Sequence, residues 1–201
     1  MIDTLDPKSW HLNVAQTGEL FVEGCNTVDL ASEYGTPLHV LNERRLEEAA
    51  SEFRTIVKQT YPGKTSVHYP FKCNAVPRVV EVIRRAGLKA EVMTEFELEL
   101  ALRTGYLPRD IIVNGPCKVD NFLMKCIAAN VGLIVIDSID ELELLQRFAG
   151  LRQSHVNVLL RVNPDYVPRG MNRGSATGSR KGCDFGLDLK GGEVLKALGL
   201  L

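Results

Sequence analysis

Short apolar runs alternate with longer amphipathic segments along most of the chain. The runs recur at intervals of about 20 to 30 residues, and helix-like periodicity fills the segments between them. This alternation predicts βα units with a parallel sheet. The fourth and fifth runs are almost continuously apolar, which indicates a sheet covered on both faces. The six runs are PLHVL (37–41), SVHYPFK (66–72), LKAEVM (88–93), DIIVN (110–114), GLIVID (132–137) and HVNVLLRVN (155–163).

The segments between the runs carry signals for where helices begin and end. Asn42 is suited to cap a helix that stops at the turn sequence YPGK, 61–64. Pro77 suits a first helical position, and Gly87 suits the stop of the same helix. TEFE (94–97) and SIDE (138–141) have the capping-box spacing directly after a strand. The sequence therefore predicts tight strand-to-helix joints.

Two regions fall outside the alternation. The sequence of residues 1–35 predicts a short strand, a turn and a brief helix. Residues 164–182 form a Gly/Ser/Arg-rich stretch without periodicity, and a loop of this length is usually functional or mobile. The alternating part fits either a (β/α) barrel or a doubly wound sheet.

Composition and charge exclude several classes of partner. The 201 residues are 45% hydrophobic and 24% charged, which is typical of a globular domain with a sizeable core. The net charge of −1, with acidic and basic residues interleaved, argues against nucleic acid. Five widely spaced cysteines predict neither a disulfide framework nor a metal site, and favour a reducing cytoplasm. No apolar run approaches the roughly 18 residues of a membrane span, so no membrane partner is expected.

Lys72 stands at the end of the second apolar run, where a charge is unusual. In a strand over residues 66–73, Phe71 and Cys73 face the helices and Lys72 faces the opposite side. In a barrel that side is the interior, and active sites lie at the carboxyl ends of barrel strands. A partly desolvated amine there has a lowered pKa and can form a Schiff base. The alternative is a lysine that simply reaches solvent from a strand end.

Glu91 in the third run and Arg161 in the sixth run each have the opposite parity to the apolar residues of their own run, as Lys72 has in the second. The three charged side chains are therefore predicted to converge on one interior mouth. An ordinary buried ion pair is the alternative interpretation of this convergence.

The longest recognisable segment is YPFKCNAVPRVVEVIRRAGLKAEVMTEFELELALRTGY, 69–106. It resembles the lysine segment of the pyridoxal-phosphate-dependent diaminopimelate/ornithine/arginine decarboxylase family. VDLASEYGTPLHVLNERRL, IIVNGPCK, VIDSIDELELL, LLRVNPD and SATGSRKGCDFGLDL are similar, in order, to other segments of the family. The resemblance covers nearly the whole chain.

The resemblance implies roles for particular residues. Lys72 matches the catalytic lysine that holds pyridoxal 5'-phosphate, and Glu91 and Arg161 match residues close to the same cofactor. Glu97 aligns with a family glutamate, although its capping-box position already explains it. No metal ligand is implied.

The chain departs from the family at two positions and in length. Pro70 removes a hydrogen-bond donor from the lysine strand, so a local irregularity is expected there. Asp184 stands where many members have a lysine. The resemblance implies an eight-unit barrel followed by a β-domain. It places the phosphate loop, the pyridine-nitrogen glutamate, and the cysteine and aspartate contributed to a partner in segments beyond this chain.

The sequence is therefore interpreted as the N-terminal part of a decarboxylase, with a lead-in over 1–35 that would join the β-domain and a partial (β/α)8 TIM-type barrel over 36–201. The expected substrate is a small amino acid, the full-length form is expected to be a cytoplasmic homodimer, and this chain alone is not expected to turn over substrate. Two alternatives stay open: a non-catalytic regulator derived from a decarboxylase, and an alanine-racemase-like protein that binds pyridoxal phosphate.

Overall fold

The alternating pattern folds into a five-stranded parallel sheet with helices packed against it. This is seen in a computed structural model that describes residues 6–172 and 185–201. The chain separates into two units, Met1–Ala49 and Ala50–Leu201, whose boundary lies inside one helix, α2 (Glu43–Thr60). The division between residues 35 and 36 drawn from the sequence stays a prediction.

The first unit contains a small antiparallel sheet and a helix. Its strands β1 (Leu12–Val14), β2 (Leu20–Val22) and β3 (Cys25–Asn26) pair in chain order and lead into helix α1 (Thr27–Tyr34). The Asn26 side chain accepts a hydrogen bond of 2.8 Å from the Val28 N–H, which caps this helix. The predicted strand, turn and helix of this region are confirmed.

The strand predicted over 37–41 is wrong. These residues have no helix or strand, and a strand needs a hydrogen-bonded neighbour that the described residues do not provide for them. Leu38, Val40 and Leu41 are 39–50% exposed. An apolar run of five residues was therefore not sufficient evidence for a strand.

The second unit carries the parallel sheet. Its strands are β4 (His68–Pro70), β5 (Lys89–Val92), β6 (Ile111–Val113), β7 (Leu133–Ile136) and β8 (Val158–Leu160). The helices that alternate with them are α3 (Pro77–Arg85), α4 (Glu95–Arg103), α5 (Asp120–Ala129) and α6 (Ile139–Arg152). A further helix, α7 (Glu193–Leu200), lies near the end of the chain.

The strands lie side by side in chain order from β4 to β8, all parallel. A doubly wound sheet reverses its strand order partway, whereas a (β/α) barrel does not. The order therefore decides between the two predicted architectures, and the fold is a partial (β/α) barrel of the TIM type.

The sixth predicted run is interrupted at Arg161. It forms β8 and then the short strand β9 (Val162–Asn163), which pairs in parallel with β10 (Leu187–Asp188). The long loop begins at residue 164, and residues 164–172 have no regular structure. The rest of that loop, together with Asp184, lies outside the described residues.

The helix signals predicted at Asn42, Pro77 and Gly87 are confirmed. The Arg45 N–H donates to the Asn42 side chain at 2.9 Å, Pro77 is the first residue of α3, and Gly87 follows α3 with a φ of +84°. The apolar face of α3 packs against the sheet, with Val79, Val80, Val82 and Ile83 buried. The core thus lies between the helices and the sheet face that carries Ala90, Val92, Ile111, Val113, Ile134 and Ile136.

Candidate functional site

Lys72 lies just past the carboxyl end of β4, in a 3-10 turn over Phe71–Cys73. Phe71 is 1% exposed and packs edge-on against the Tyr106 ring, with 5.7 Å between ring centroids, so it anchors the turn to the core. Lys72 and Cys73 are exposed. The predicted strand over 66–73 is therefore too long, because it ends at Pro70. The burial expected for Cys73 and the partial desolvation expected for Lys72 are not seen in the described residues.

Glu91 occupies β5 directly beside β4, where it is the register partner of Pro70. Its neighbours Ala90 and Val92 are fully buried on the helix side, whereas Glu91 lies half-buried on the opposite face. Its Oε1 atom is buried and receives no hydrogen bond from any described residue. A buried carboxylate oxygen without a donor is costly, so this atom is a candidate for contact with a ligand.

His68 borders Glu91 on the same strand pair. Its Nδ1 lies 3.1 Å from the Ala90 carbonyl oxygen and its Nε2 lies 3.0 Å from Ser66 Oγ. A carbonyl only accepts, so Nδ1 carries the proton and the ring is satisfied in its neutral form. Burial lowers the pKa of His68. The neutral imidazole of His68 therefore links the start of β4 to β5.

Arg161 lies at the carboxyl end of β8. Its guanidinium is 3.4 Å from Asp137 Oδ1, and its Cζ lies 4.6 Å from the centroid of the Phe185 ring. Asp137 follows β7, is 4% exposed, and accepts a 3.0 Å hydrogen bond from the Gly186 N–H. The Asp137 carboxylate thus connects Arg161 to the segment that forms β10.

The three predicted site residues are brought to the same end of the sheet, but no hydrogen bond or ion pair between them is found among the described residues. Lys72 and Glu91 belong to adjacent strands, whereas Arg161 lies three strands beyond Glu91 in the sheet order. No hydrogen bond or ion pair joins Arg161 to either of them within residues 6–172 and 185–201.

Glu97 is a helix cap, as the sequence indicated. Its carboxylate accepts hydrogen bonds from the Met93 N–H at 2.6 Å and the Thr94 N–H at 3.2 Å, and its own N–H donates to Thr94 Oγ1. This is the complete capping box predicted from TEFE, and it accounts for the burial of Glu97.

The sequence did not indicate a buried ion pair that lies past the carboxyl ends of β6 and β7. Lys118 follows β6, its side chain is fully buried, and its Nζ lies 2.9 Å from Glu141 Oε1. The same ammonium donates to the Gly115 carbonyl. Burial raises the pKa of Glu141, although Lys118 acts in the opposite direction. The SIDE motif identified Glu141 as a cap, but no local pattern indicates its partner 23 positions earlier.

The described residues contain no cluster of His, Cys, Asp or Glu suited to hold a metal ion. Cys25, Cys73, Cys117 and Cys126 are free, while Cys183 lies outside the described residues. No helix in the described part of the chain is both long and apolar enough to cross a membrane.

The chain matches the family model of the pyridoxal-dependent decarboxylases, pyridoxal binding domain, over residues 43–199. Diaminopimelate decarboxylase from Methanocaldococcus jannaschii is 31% identical over 184 residues, which cover 90% of this chain and 42% of that protein. The Staphylococcus aureus protein of the same name is 31% identical over 183 residues, with 91% and 42% covered. The crystal structure of the M. jannaschii protein has a TM-score of 0.82 at 28% identity, over 94% of this chain and 44% of that one. The chain thus spans less than half the length of these relatives.

Proposed function

This chain belongs to the family of pyridoxal-dependent decarboxylases, through the pyridoxal-binding domain of that family, and from this premise we propose that it is the lysine-bearing part of an amino-acid decarboxylase. One observation carries the proposal. Lys72 lies at the carboxyl end of β4, and the strand beside it presents Glu91, whose buried carboxylate oxygen has no donor among the described residues.

The residues at this end of the sheet suit pyridoxal phosphate, the cofactor of the family. The exposed Lys72 amine is accessible to an aldehyde, Glu91 offers an unsatisfied carboxylate to a polar ring, and Arg161 offers a guanidinium. When bound, the cofactor supplies an electron sink for the negative charge left as carbon dioxide departs. We assign covalent attachment to Lys72, and contact with the cofactor to Glu91 and Arg161.

The substrate proposed for the complete protein is meso-diaminopimelate, because the relatives at 31% identity carry that activity in their names. The corresponding process is lysine biosynthesis. A homodimer in the cytoplasm is proposed with it. Free cysteines in the described residues support a reducing compartment, and the family resemblance supports a partner that completes the site.

The attachment site is tested by reducing the protein with borohydride in the presence of pyridoxal phosphate and mapping the labelled peptide. We expect the pyridoxyl label on Lys72, and loss of that labelled peptide in Lys72→Ala. Lys125→Met serves as the matched lysine control, because this exposed lysine pairs with Glu95 on the surface and its loss should leave the label on Lys72. A label on another lysine, or one spread over many, would show that the site is misplaced.

Activity is tested in the protein that carries this chain together with its following segments. Carbon dioxide release is expected from meso-diaminopimelate, with ornithine, arginine and lysine as competing substrates, and Lys72→Ala should abolish it. The isolated 201-residue chain is expected to release none above background. Inactivity of the complete protein on all four amino acids would favour the regulator interpretation, and turnover by the isolated chain would contradict the assignment of the remaining groups to other segments.

A further inference from the structure

A cavity of about 220 Å³ opens at the amino ends of β5 and β6, the end of the sheet opposite to Lys72. It lies between the turn that leads from α3 to β5 and the turn that follows α4. Both strands have a described neighbour strand on each side. Its lining includes Arg84, Gly87, Lys89, Gly105, Tyr106 and Asp110.

The guanidinium groups of Arg54 and Arg84 lie against Gly87 and Gly105, two glycines that line this cavity. A Cβ atom on Gly87 would come within 2.9 Å of Arg54 Cζ, and one on Gly105 would lie 3.5 Å from Arg84 Cζ. Both glycines have positive φ, +84° and +87°, which other residues rarely adopt. The backbone thus turns sharply at both positions and leaves room for a guanidinium group against it.

The positive charge around the cavity exceeds the negative charge. Lys89 is paired with Asp110 at 2.8 Å, which neutralises one cation. Neither Arg54 nor Arg84 forms an ion pair with a carboxylate in the described part of the chain. The Nε atom of Arg54 is buried and donates no hydrogen bond to a described residue. That atom is closed to solvent, whereas Arg84 is exposed, lines the cavity and is therefore available to an anion.

We propose that this cavity binds a small oxyanion, the shared chemistry being a phosphate or carboxylate group. A guanidinium donates several hydrogen bonds in a fixed planar arrangement that matches such groups, and it remains charged at all physiological pH values. Arg84, which lines the cavity, would donate to the anion from the Gly105 side, and Arg54, which lies against Gly87 but does not line the cavity, would add positive charge nearby. The proposal does not depend on the proposed decarboxylase function.

The test is titration calorimetry of the protein that carries this chain, with inorganic phosphate in one series and succinate in another. We expect saturable binding of one anion per chain in at least one series. Arg84→Gln should weaken it about tenfold or more, because it removes a charge-assisted hydrogen bond, and Arg54→Gln should weaken it by a smaller factor, because it removes only a nearby charge. Arg152→Gln, which removes an exposed arginine from the end of α6, is the matched control and should bind like the unchanged protein.

The two series also separate the sources of the anion, since preference for phosphate or for succinate identifies the group that the site accepts. Circular dichroism establishes that each variant is folded, and Arg54→Lys keeps the charge if the glutamine variant does not fold. Binding should persist in Lys72→Ala, which separates this site from the cofactor site. Absence of saturable binding in both series, or equal binding in the Arg54, Arg84 and Arg152 variants, would overturn the proposal.

Discussion

At the scale of single residues, Lys118 and Glu141 depend strongly on each other. Both side chains are almost completely excluded from solvent, and they are 2.9 Å apart. Glu141 also accepts from the Asp137 N–H and donates its own N–H to Ser138 Oγ, so one side chain serves the start of α6 and the ion pair together. Removing one partner of such a pair leaves an uncompensated buried charge, which costs more than the pair itself contributes.

Lys118→Met is therefore expected to lower the free energy of unfolding by about 3 to 5 kcal/mol, measured by urea denaturation. Adding Glu141→Gln should restore part of the loss, because a neutral amide replaces the unpaired carboxylate. Lys125→Met is the control: this exposed lysine pairs with Glu95 on the surface, and its loss should change stability little. Equal changes in the free energy of unfolding for the two lysine substitutions would show that the buried pair affects stability no more than the surface pair.

His68 gives a prediction about pH. Its pKa is lowered by burial, so the unfolded chain binds a proton more readily than the folded one. The stability linked to His68 is complete above the unfolded pKa of about 6.5 and is lost as the pH falls from there towards the lowered folded pKa.

Unfolding midpoints measured between pH 7.5 and 5 should fall, and His68→Asn should flatten that part of the profile. An asparagine amide can still donate to the Ala90 carbonyl but does not titrate. His155→Gln, at an exposed position, controls for the loss of a histidine. A profile unchanged by His68→Asn would place the pH dependence on other groups.

At the scale of the elements, the local signals were predictable and the pairings were not. Asn42, Pro77 and the TEFE motif act within one helical turn, so the sequence located these helix starts correctly. Strands depend on neighbours that are distant in sequence. For this reason the strand predicted over 37–41 was wrong, and the strand predicted over 66–73 was too long. Pro70 correctly indicated a local irregularity, the 3-10 turn that follows it. The pairing of Asp137 with Arg161 required the packing of β7 beside β8 to be known.

Two glycines show how packing between elements decides the effect of one substitution. Gly132 begins the entry into β7, and a Cβ atom there would lie 2.8 Å from the backbone carbonyl carbon of Arg109, which cannot move as a side chain can. Gly150 lies in α6 with open space around its Cβ position.

Gly132→Ala is expected to destabilise the protein by about 1 to 3 kcal/mol, because the added methyl group separates β7 from the turn before β6. Gly150→Ala should stabilise it by about 0.5 to 1 kcal/mol, because alanine loses less conformational freedom in a helix. Urea denaturation of both variants measures the two changes. Effects of the same sign would contradict this account of the two sites.

At the scale of the whole molecule, the order of the strands sets the behaviour of the isolated chain. In the described residues β4 has a hydrogen-bonded neighbour strand on one side only, and so has β8, while the short strands β9 and β10 form a separate two-stranded sheet. A closed barrel has no free edges, whereas a partial one presents unpaired backbone groups that pair with other chains. Leu159 on β8 is 49% exposed, on the face opposite to the helix-packed Val158 and Leu160.

The isolated 201-residue chain is therefore expected to self-associate, with an apparent mass by light scattering after size exclusion that rises with concentration. Leu159→Lys should reduce this association, because a lysine on an edge strand must be desolvated when another strand pairs beside it. Leu195→Lys is the matched control: Leu195 is 74% exposed on α7, away from a strand edge, and its replacement should leave association unchanged. If association responds to Leu195→Lys and not to Leu159→Lys, it arises from the apolar surface of α7. A monomer that melts cooperatively at all concentrations would show that the sheet edges are protected in a way the described residues do not provide.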